Sequence, residues 1–343
     1  MKRHLNTLFL TQPETSLKKE GEAICVRIAK NPPQRFPIHN IGSIVCFSDA
    51  YITPSLMEHC VKNHTSISYL SPYGKFKARV TGPVFGNVLL RKEQYRWSDS
   101  ETKSAEVARY IIIGKILNSR SLLVRFRRDH RHLDEENTLS KVIDILSQAV
   151  GNMKPGRTLD YYRGIEGAAA HNYFSVFDFL ILTNKQDFFF VDRNKRPPKD
   201  RVNALLSFAY SMLQNDVRSA LEVVGLDTAV GYLHRDRPGR PSLALDMMEE
   251  FRSPFCDRFV LTLINSGKLR STHFKKDAVE GIFLSDEGRK IFLTAYQERK
   301  QKEIYHPYIE EKTTIGLLFH LQALIMARFI RGDIDGYPPY IWR

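Results

Sequence analysis

Apolar and polar positions alternate in short stretches through the first part of the chain, with turn residues between the stretches. Residues 23–28 are rich in β-branched side chains, and residues 66–70 and 75–80 flank a Ser-Pro-Tyr-Gly turn. Short alternating stretches are typical of β-strands, and the last two predict a hairpin. We therefore expect residues 1–85 to form a small β-sandwich or curled sheet, interrupted by one short helix near residues 55–62.

From about residue 101 the apolar positions recur with the period of an α-helix and continue to do so to the end of the chain. Ala108, Ile112 and Ile116, for example, share one helix face. Further helices are expected near residues 135–150, 159–182, 202–224, 242–250, 254–265, 285–302 and 314–331. The pattern predicts an α+β fold, in which the small β-sandwich is followed by a linker over residues 86–100 and a larger all-α domain over residues 101–343.

The chain is strongly basic, with 51 Lys and Arg against 38 Asp and Glu and a formal net charge of +13. Residues 1–85 hold 11 basic and 5 acidic side chains, so +6 of the excess lies there and +7 in the rest. A charge spread in this way suits an extended polyanion such as DNA or RNA, although many basic proteins bind neither.

The four cysteines contain no Cys-x-x-Cys pair, which favours reduced, buried thiols over a disulfide framework or a thiolate metal site. No segment offers the roughly 18 uninterrupted apolar residues of a membrane helix. The N-terminus lacks a convincing signal peptide. We therefore expect a cytoplasmic protein without a membrane segment.

One acidic residue stands among small residues in a helix-period segment. Glu166 lies in Arg-Gly-Ile-Glu-Gly-Ala-Ala-Ala, residues 163–170. Small neighbours let another group approach a helix closely. Glu166 is therefore either a solvent-facing side chain on a packing helix or a carboxylate presented to a ligand, since buried unpaired carboxylates are rare.

A histidine lies in a loop of Gly, Pro and Arg residues. His234 belongs to Gly-Tyr-Leu-His-Arg-Asp-Arg-Pro-Gly-Arg-Pro-Ser, residues 231–242, whose arginines suit phosphate. The amphipathic helix that follows has Asp246 and Glu249 three residues apart on one face. Their repulsion requires relief from Arg252, from water or from a bound cation.

Of these three alternatives, a bound divalent cation makes the most specific prediction. Glu166, His234 and Glu249, with water completing the shell, suit Mg²⁺ or Mn²⁺, because hard ions prefer oxygen ligands and one imidazole shifts the preference toward Mn²⁺. Zinc is disfavoured in the absence of thiolate ligands.

Four segments together resemble the CRISPR-associated integrase family Cas1, and the match extends over nearly the whole chain. These segments are residues 163–167, 203–210, 231–234 and 242–252. The N-terminal stretch is most similar to the subtype I-C branch. The resemblance implies that Glu166, His234 and Glu249 are the catalytic metal ligands, with Asp246 as a supporting residue or an alternate ligand.

The resemblance also implies partners and a reaction. It predicts a homodimer through the β-rich domain, a catalytic helical domain, and a larger complex with the small ferredoxin-like nuclease Cas2. The substrates would be double-stranded protospacer DNA and the CRISPR repeat, joined when a DNA 3′-hydroxyl attacks a phosphodiester. The basic residues expected to contact DNA are Arg163, Arg193, Lys195, Arg196, Arg235, Arg237 and Arg240.

Two other functions stay open at this point. One is a hydrolytic, structure-selective DNA nuclease acting in repair, and the other is a non-catalytic DNA-binding scaffold whose acidic helix is a solvated face. Metal dependence separates the scaffold from both enzymes. The need for a supplied 3′-hydroxyl end separates the integrase from the hydrolase.

Overall fold

Eight strands and one α-helix come first in the computed structural model, which describes residues 6–83, 87–134, 136–195, 197–277 and 281–342. They are β1 Asn6–Leu10, β2 Thr15–Glu20, β3 Ala23–Ile28, β4 Gln34–Pro37, β5 Ile41–Cys46, β6 Tyr51–Ile52, α1 Pro54–Lys62, β7 Ser66–Leu70 and β8 Phe76–Val80. The strands form two four-stranded sheets, ordered β1-β5-β7-β8 and β4-β3-β2-β6. Side chains of both sheets share one apolar core, which includes Leu17, Ile24, Ile44 and Ile67. The expected N-terminal β-sandwich is confirmed.

The predicted hairpin is also present. β7 and β8 pair antiparallel, with Ile67 opposite Val80. Ser71 N donates to Lys75 O at 2.7 Å across the turn. Gly74 has a φ of 84°, a conformation that glycine adopts without the clash a Cβ would cause. The strands β1, β5 and β7 run parallel instead, and α1 lies in the crossover that parallel β5 and β7 require.

The rest of the described chain is mostly helical, as the α+β prediction requires. The helices are α2 Val88–Asp99, α3 Glu101–Asp129, α4 Thr138–Gly151, α5 Leu159–Ser175, α6 Arg201–Val224, α7 Ser242–Phe251, α8 Arg258–Asn265, α9 Asp286–Lys300 and α10 Ile315–Arg331. A π-helical segment, Arg252–Asp257, joins α7 to α8.

Two short strand pairs correct the expectation of an all-α second domain. β9 Phe274–Lys276 pairs with β10 Ile282–Leu284, and β11 Glu303–His306 pairs with β12 Glu311–Thr314. Strands of three or four residues are too short to give a recognisable alternation, because periodicity is read over longer windows.

The linker expected over residues 86–100 is instead largely the helix α2. Asn87 and Ser100 accept backbone hydrogen bonds as the N-caps of α2 and α3. Gln94 is fully buried and donates to two backbone carbonyls in residues 227–230, at 2.8 and 2.9 Å. The sequence did not predict α2, because the helix is mostly polar. Its buried residue Gln94 is held by hydrogen bonds, and a buried amide adds nothing to the apolar stripe by which a helix is recognised in a sequence.

The chain returns to the β-rich unit after forming most of the helical one. Residues 284–305 and 311–318 group by contact with residues 1–85, and the remaining residues form a second unit. In α9, Arg289 Nη1 donates to Pro72 O at 3.1 Å. The division expected from sequence omits both returning segments, because contacts between residues distant in the chain leave no local pattern.

None of the described helices is both long and apolar enough to cross a membrane. All four cysteines are buried and none forms a disulfide, as their spacing predicted.

Candidate active site

Helix α5 places Glu166 beside open space. A Cβ atom added at Gly164 or Gly167 would meet no atom within 4 Å, so the helix surface near Glu166 is uncovered there. The Glu166 carboxylate accepts a hydrogen bond from the Lys115 ammonium, and its side chain is 26% exposed. Glu166 is thus a paired, partly buried carboxylate at an opening, and not merely a solvent-facing side chain.

Lys115 links Glu166 to a second carboxylate. Its Nζ lies 2.8 Å from Oε2 of Glu249 on α7, whose side chain is only 3% exposed. Arg252 Nη2 lies 3.1 Å from the other oxygen of Glu249. We call Glu166, Lys115, Glu249 and Arg252 the charge cluster. It holds two negative and two positive side chains largely out of water, where a charge is stable only if it is paired.

Electrostatics within the charge cluster keep Glu249 ionised. Burial by itself would raise the pKa of Glu249, but the charges of Arg252, Lys115 and His234 outweigh burial and lower the pKa to about 2. Burial likewise disfavours the charged form of Lys115, but Glu249 and Glu166 raise its pKa overall. The Glu249 carboxylate is therefore negative at neutral pH.

Asp246 lies one turn before Glu249 and binds the loop that carries His234. Its Oδ2 accepts from Tyr232 N at 2.6 Å and from Leu233 N at 2.9 Å. Its Oδ1 accepts from His234 N at 2.9 Å and lies 2.6 Å from His234 Nδ1. When Nδ1–H donates to a carboxylate, Nε2 of the imidazole keeps the lone pair. Both oxygens of Asp246 are therefore occupied in orienting His234.

In the charge cluster, the Lys115 ammonium lies between the two carboxylates that were expected to bind a metal ion. Within the described ranges, no three His, Cys, Asp or Glu side chains lie close enough to hold a metal ion as they stand. Instead the Lys115 ammonium bridges Glu166 and Glu249. His234 is near enough to lower the pKa of Glu249.

The donor set nevertheless fits a divalent cation. Oε2 of Glu249 is buried and accepts no well-aligned hydrogen bond, although the Lys115 nitrogen is 2.8 Å away. We read this contact as an ion pair, which has no angular requirement. Two carboxylates held at one cation, with the imidazole of His234 near enough to influence Glu249, are ligand types that suit Mg²⁺ or Mn²⁺.

The basic residues predicted to contact DNA fall into two groups: some donate hydrogen bonds within the protein, and others are exposed or half-buried. Arg163 donates through Nε and Nη2 to Leu233 O, at 3.0 and 2.6 Å, and so joins α5 to the His234 loop. Arg193 donates to Asn203 Oδ1 at 2.6 Å and holds its own loop to α6. The second group comprises the exposed Lys195, Arg235 and Arg237 and the half-buried Arg240. Arg196 lies outside the described residues.

The π-helical segment ends in another buried carboxylate. Asp257 accepts from Tyr210 OH at 2.6 Å and from Tyr173 OH at 2.9 Å. Burial raises its pKa to about 6, although the two tyrosine hydrogen bonds and the nearby arginines oppose the rise. The Arg252 guanidinium lies 5.0 Å from the Tyr210 ring centroid, within the range of a cation–π contact. The Asp257 network thus supports the arginine that contacts Glu249.

Comparison with known proteins identifies the family of the chain. The family model described as CRISPR associated protein Cas1 matches residues 8–298. The chain belongs to the Cas1 family. A CRISPR-associated endonuclease Cas1 of Chlorobaculum tepidum is 47% identical over 343 residues, which is all of both chains. The resemblance seen in the sequence motifs is confirmed at the level of the family.

Two solved structures share the fold of this Cas1 chain. A casposase bound to integration product has a TM-score of 0.84 at 21% identity, over 99% of this chain and 95% of the casposase. A chain of a Cas6-RT-Cas1–Cas2 complex has a TM-score of 0.80 at 22% identity, over 99% of this chain and 36% of that one. These likenesses establish the common fold.

Sequence reasoning missed Lys115 in this Cas1 chain. The signal that could have revealed it is its position on α3, four residues after Ile111 and four before Ser119, both of which are buried. A lysine on the buried stripe of a helix requires an acidic partner. Tyr173 and Asp257 were missed as well, because an aromatic or acidic residue in a helical segment has no distinctive spacing.

Proposed function

We propose that this Cas1 chain is a metal-dependent DNA endonuclease and integrase. It inserts new spacer DNA into a CRISPR array by attack of a DNA 3′-hydroxyl on a phosphodiester. The observation that carries the proposal is the charge cluster next to a histidine oriented by Asp246. The curated relative that is 47% identical bears the name endonuclease, and a casposase bound to integration product has the same fold.

Glu166, Glu249 and Nε2 of His234 would hold one Mg²⁺ or Mn²⁺ ion. When bound, the ion supplies a Lewis acid for the phosphoryl oxygen and lowers the pKa of the attacking hydroxyl. We assign the third ligand to Glu249 and not to Asp246, because the oxygens of Asp246 already accept hydrogen bonds from the His234 loop.

The other charged residues prepare the site. Arg252 and Lys115 keep Glu249 ionised. Lys115 balances the charge of both carboxylates in the described arrangement. If a divalent cation took over that role, the Lys115 ammonium would be available to a non-bridging phosphate oxygen, where negative charge develops in the transition state.

The reaction requires no covalent protein intermediate. The incoming 3′-oxygen forms a bond to phosphorus and its proton passes to water, while the phosphorus–oxygen bond of the target strand breaks and the departing 3′-oxygen of that strand takes up a proton from water. Water in place of the 3′-hydroxyl gives strand nicking at the same residues. Two reactants held in line account for much of the rate enhancement that such sites achieve.

The proposed partners are double-stranded DNA, a second copy of the chain and a Cas2-type protein. The net charge of +13 supports DNA, and the exposed Lys195, Arg235 and Arg237 are the residues best placed to contact it. The homodimer, formed through the β-rich unit, and the subtype I-C assignment rest on the motif resemblance. The Cas2-type partner is supported by the shared fold with a chain of a Cas6-RT-Cas1–Cas2 complex.

A strand-transfer assay tests the proposal. A short duplex, a supercoiled plasmid carrying a CRISPR array and Mn²⁺ are incubated with the chain, with and without its Cas2-type partner. The matched control is the same duplex ending in a 3′-deoxynucleotide. We expect joined product only with the 3′-hydroxyl end and only with the metal. Nicking without joining would favour the repair nuclease, and binding without either reaction would favour the scaffold.

A further inference from the structure

We propose that residues 337–342, the C-terminal strap, hold α3 and α7 in register, and that Glu250 is the positioning residue that binds the strap. The inference deepens the proposed function, because it concerns how the carboxylate of Glu249 is kept in place. All the contacts that carry it lie within the helical unit.

Glu250 is a buried carboxylate for which the proposed reaction has no use. It follows Glu249 directly, yet its oxygens contact the strap instead of the charge cluster. Tyr337 OH donates to Oε1 at 2.7 Å, and Tyr340 N donates to Oε2 at 2.8 Å. Two hydrogen bonds from the strap thus end on one side chain of α7.

A glutamine and a histidine complete the network around Glu250. Gln322 Nε2, on α10, lies 3.1 Å from Glu250 Oε2 and 2.8 Å from Tyr337 OH. Gln322 Oε1 lies 3.0 Å from His306 Nε2. Glu250, Gln322 and His306 are each at most 2% exposed. A buried polar network of this kind fixes one arrangement of its elements, because every alternative leaves a polar group without a partner.

The same strap is bonded to α3. Asn118 Nδ2 donates to Tyr340 O at 2.8 Å and to Glu250 O at 2.7 Å, and its Oδ1 accepts from Trp342 N at 2.7 Å. A Cβ atom on Gly114 would lie 2.7 Å from a side-chain atom of Pro339. The glycine therefore permits the strap to pass closely over α3.

These contacts adjoin the charge cluster in sequence on both helices. Gly114 precedes Lys115, and Glu250 follows Glu249. The strap therefore fixes the backbone on either side of the ion pair between Lys115 and Glu249. A displacement of about 1 Å at a reacting group can cost about 100-fold in rate, so this support bears on catalysis.

The test compares Glu250→Ala and Glu250→Gln with Asp134→Ala. Asp134 is a matched control, because it is a buried carboxylate that accepts from Leu139 N at 2.8 Å at the start of α4 and does not contact the strap. We expect Glu250→Ala to lower kcat for Mn²⁺-dependent nicking about 10- to 100-fold, with KM for DNA changed less than about twofold. Glu250→Gln should recover most of kcat, since its amide oxygen still accepts from Tyr340 N.

Two results would overturn the strap's role. One is a wild-type kcat for Glu250→Ala, and the other is an equal loss of kcat in Asp134→Ala at an equal loss of thermal stability. A wild-type chain that never nicks DNA would refute the proposed function instead. The strap is then still tested by amide hydrogen exchange, which must accelerate in residues 246–251 of Glu250→Ala and stay unchanged there in Asp134→Ala.

Discussion

Lys115 carries a full positive charge on a side chain that is only 14% exposed. Removing such a charge from water costs several kcal/mol, and the cost is offset only by well-placed partners. Glu166 and Glu249 supply them from two different helices. The same ion pairs that stabilise the helical unit therefore keep two carboxylates close to one point, which is also the requirement for binding a divalent cation.

Substitution of Glu249 should affect both activity and stability. We expect Glu249→Gln to abolish Mn²⁺-dependent cleavage and joining, and to lower the free energy of unfolding by about 2–4 kcal/mol, because Lys115 and Arg252 lose a charged partner. Glu166→Gln and His234→Ala should also abolish cleavage but destabilise less, since both side chains are more exposed. Nicking assays and urea denaturation measure the two effects. Full activity in Glu249→Gln would assign the metal ligand to another residue.

The Asp257 network predicts a pH dependence of stability. Burial raises the pKa of Asp257 from an ordinary value of 3.8 to about 6. Between these values the folded state retains a proton that the unfolded state has lost, so the free energy of unfolding falls as pH rises from about 4 to about 6. A shift of about 2 units corresponds to about 3 kcal/mol. Urea denaturation at several pH values should show a smaller fall for Asp257→Asn, whereas parallel curves would contradict the assignment.

Single residues were predictable where they formed motifs. The segments around Glu166 and His234 stood out because glycine, proline and charge depart from helical composition there. The contacts of those residues were not predictable, because Lys115 precedes Glu249 by more than a hundred residues and looks like any helical lysine. The choice between Asp246 and Glu249 likewise depends on hydrogen bonds that no spacing records.

At the scale of elements, the π-helical segment determines which groups reach the charge cluster. It begins at Arg252, which contacts Glu249, and ends at Asp257, which binds two tyrosines. Pro254 within it has no N–H to donate, so regular α-helical hydrogen bonding is interrupted there. Wider turns of this kind occur often at functional sites.

The loop before α7 provides a test at this scale. A Cβ atom on Gly231 would lie 2.8 Å from Asp246 Oδ2 and 2.8 Å from the backbone carbon of Ser242. Gly231→Ala should therefore displace the loop and with it the His234 ring, lowering nicking activity by about 10-fold or more. The control is Gly239→Ala, whose strain arises from its φ of 73° and not from contact with Asp246. Equal activity in the two variants would show that the Gly231 contact is unimportant.

Most elements could be predicted from sequence, because their apolar residues follow one period over a sufficient length. The long helices α3, α6 and α10 and the hairpin of β7 and β8 are of this kind. Helix α2 and the strands β9 to β12 were missed for opposite reasons. The helix is too polar to show a stripe, and the strands are too short to show an alternation.

For the molecule as a whole, we expect the net charge of +13 to govern the proposed binding to DNA. The excess is present both in residues 1–85 and in the rest of the chain, so affinity should be electrostatic and tolerant of sequence. A protein that neutralises about 6–10 phosphates loses roughly 10³–10⁵ in affinity between about 50 and 200 mM salt. Fluorescence anisotropy across this range should show such a fall. An affinity that hardly changes with salt would contradict the prediction.

A matched pair of charge reversals refines this prediction. Arg237→Glu should weaken DNA binding and reduce its salt dependence, because the side chain is exposed in the loop that carries His234. Lys62→Glu, also exposed but already paired with Glu58, should change both less.

The order in which the chain is synthesised has a consequence for the β-rich unit. Lys300, at the end of α9, reaches Thr7 in β1 with 3.4 Å between Nζ and Oγ1, across 293 positions. At about 5–20 residues per second, the ribosome releases α9 roughly 10 to 40 seconds after the first two sheets. The contacts between those sheets and α9 can therefore form only after most of the helical unit has been synthesised. The part of the protein that is made first is completed only then, and residues 1–85 expressed alone would lack the α9 contacts that Thr7 and Pro72 make in the whole chain.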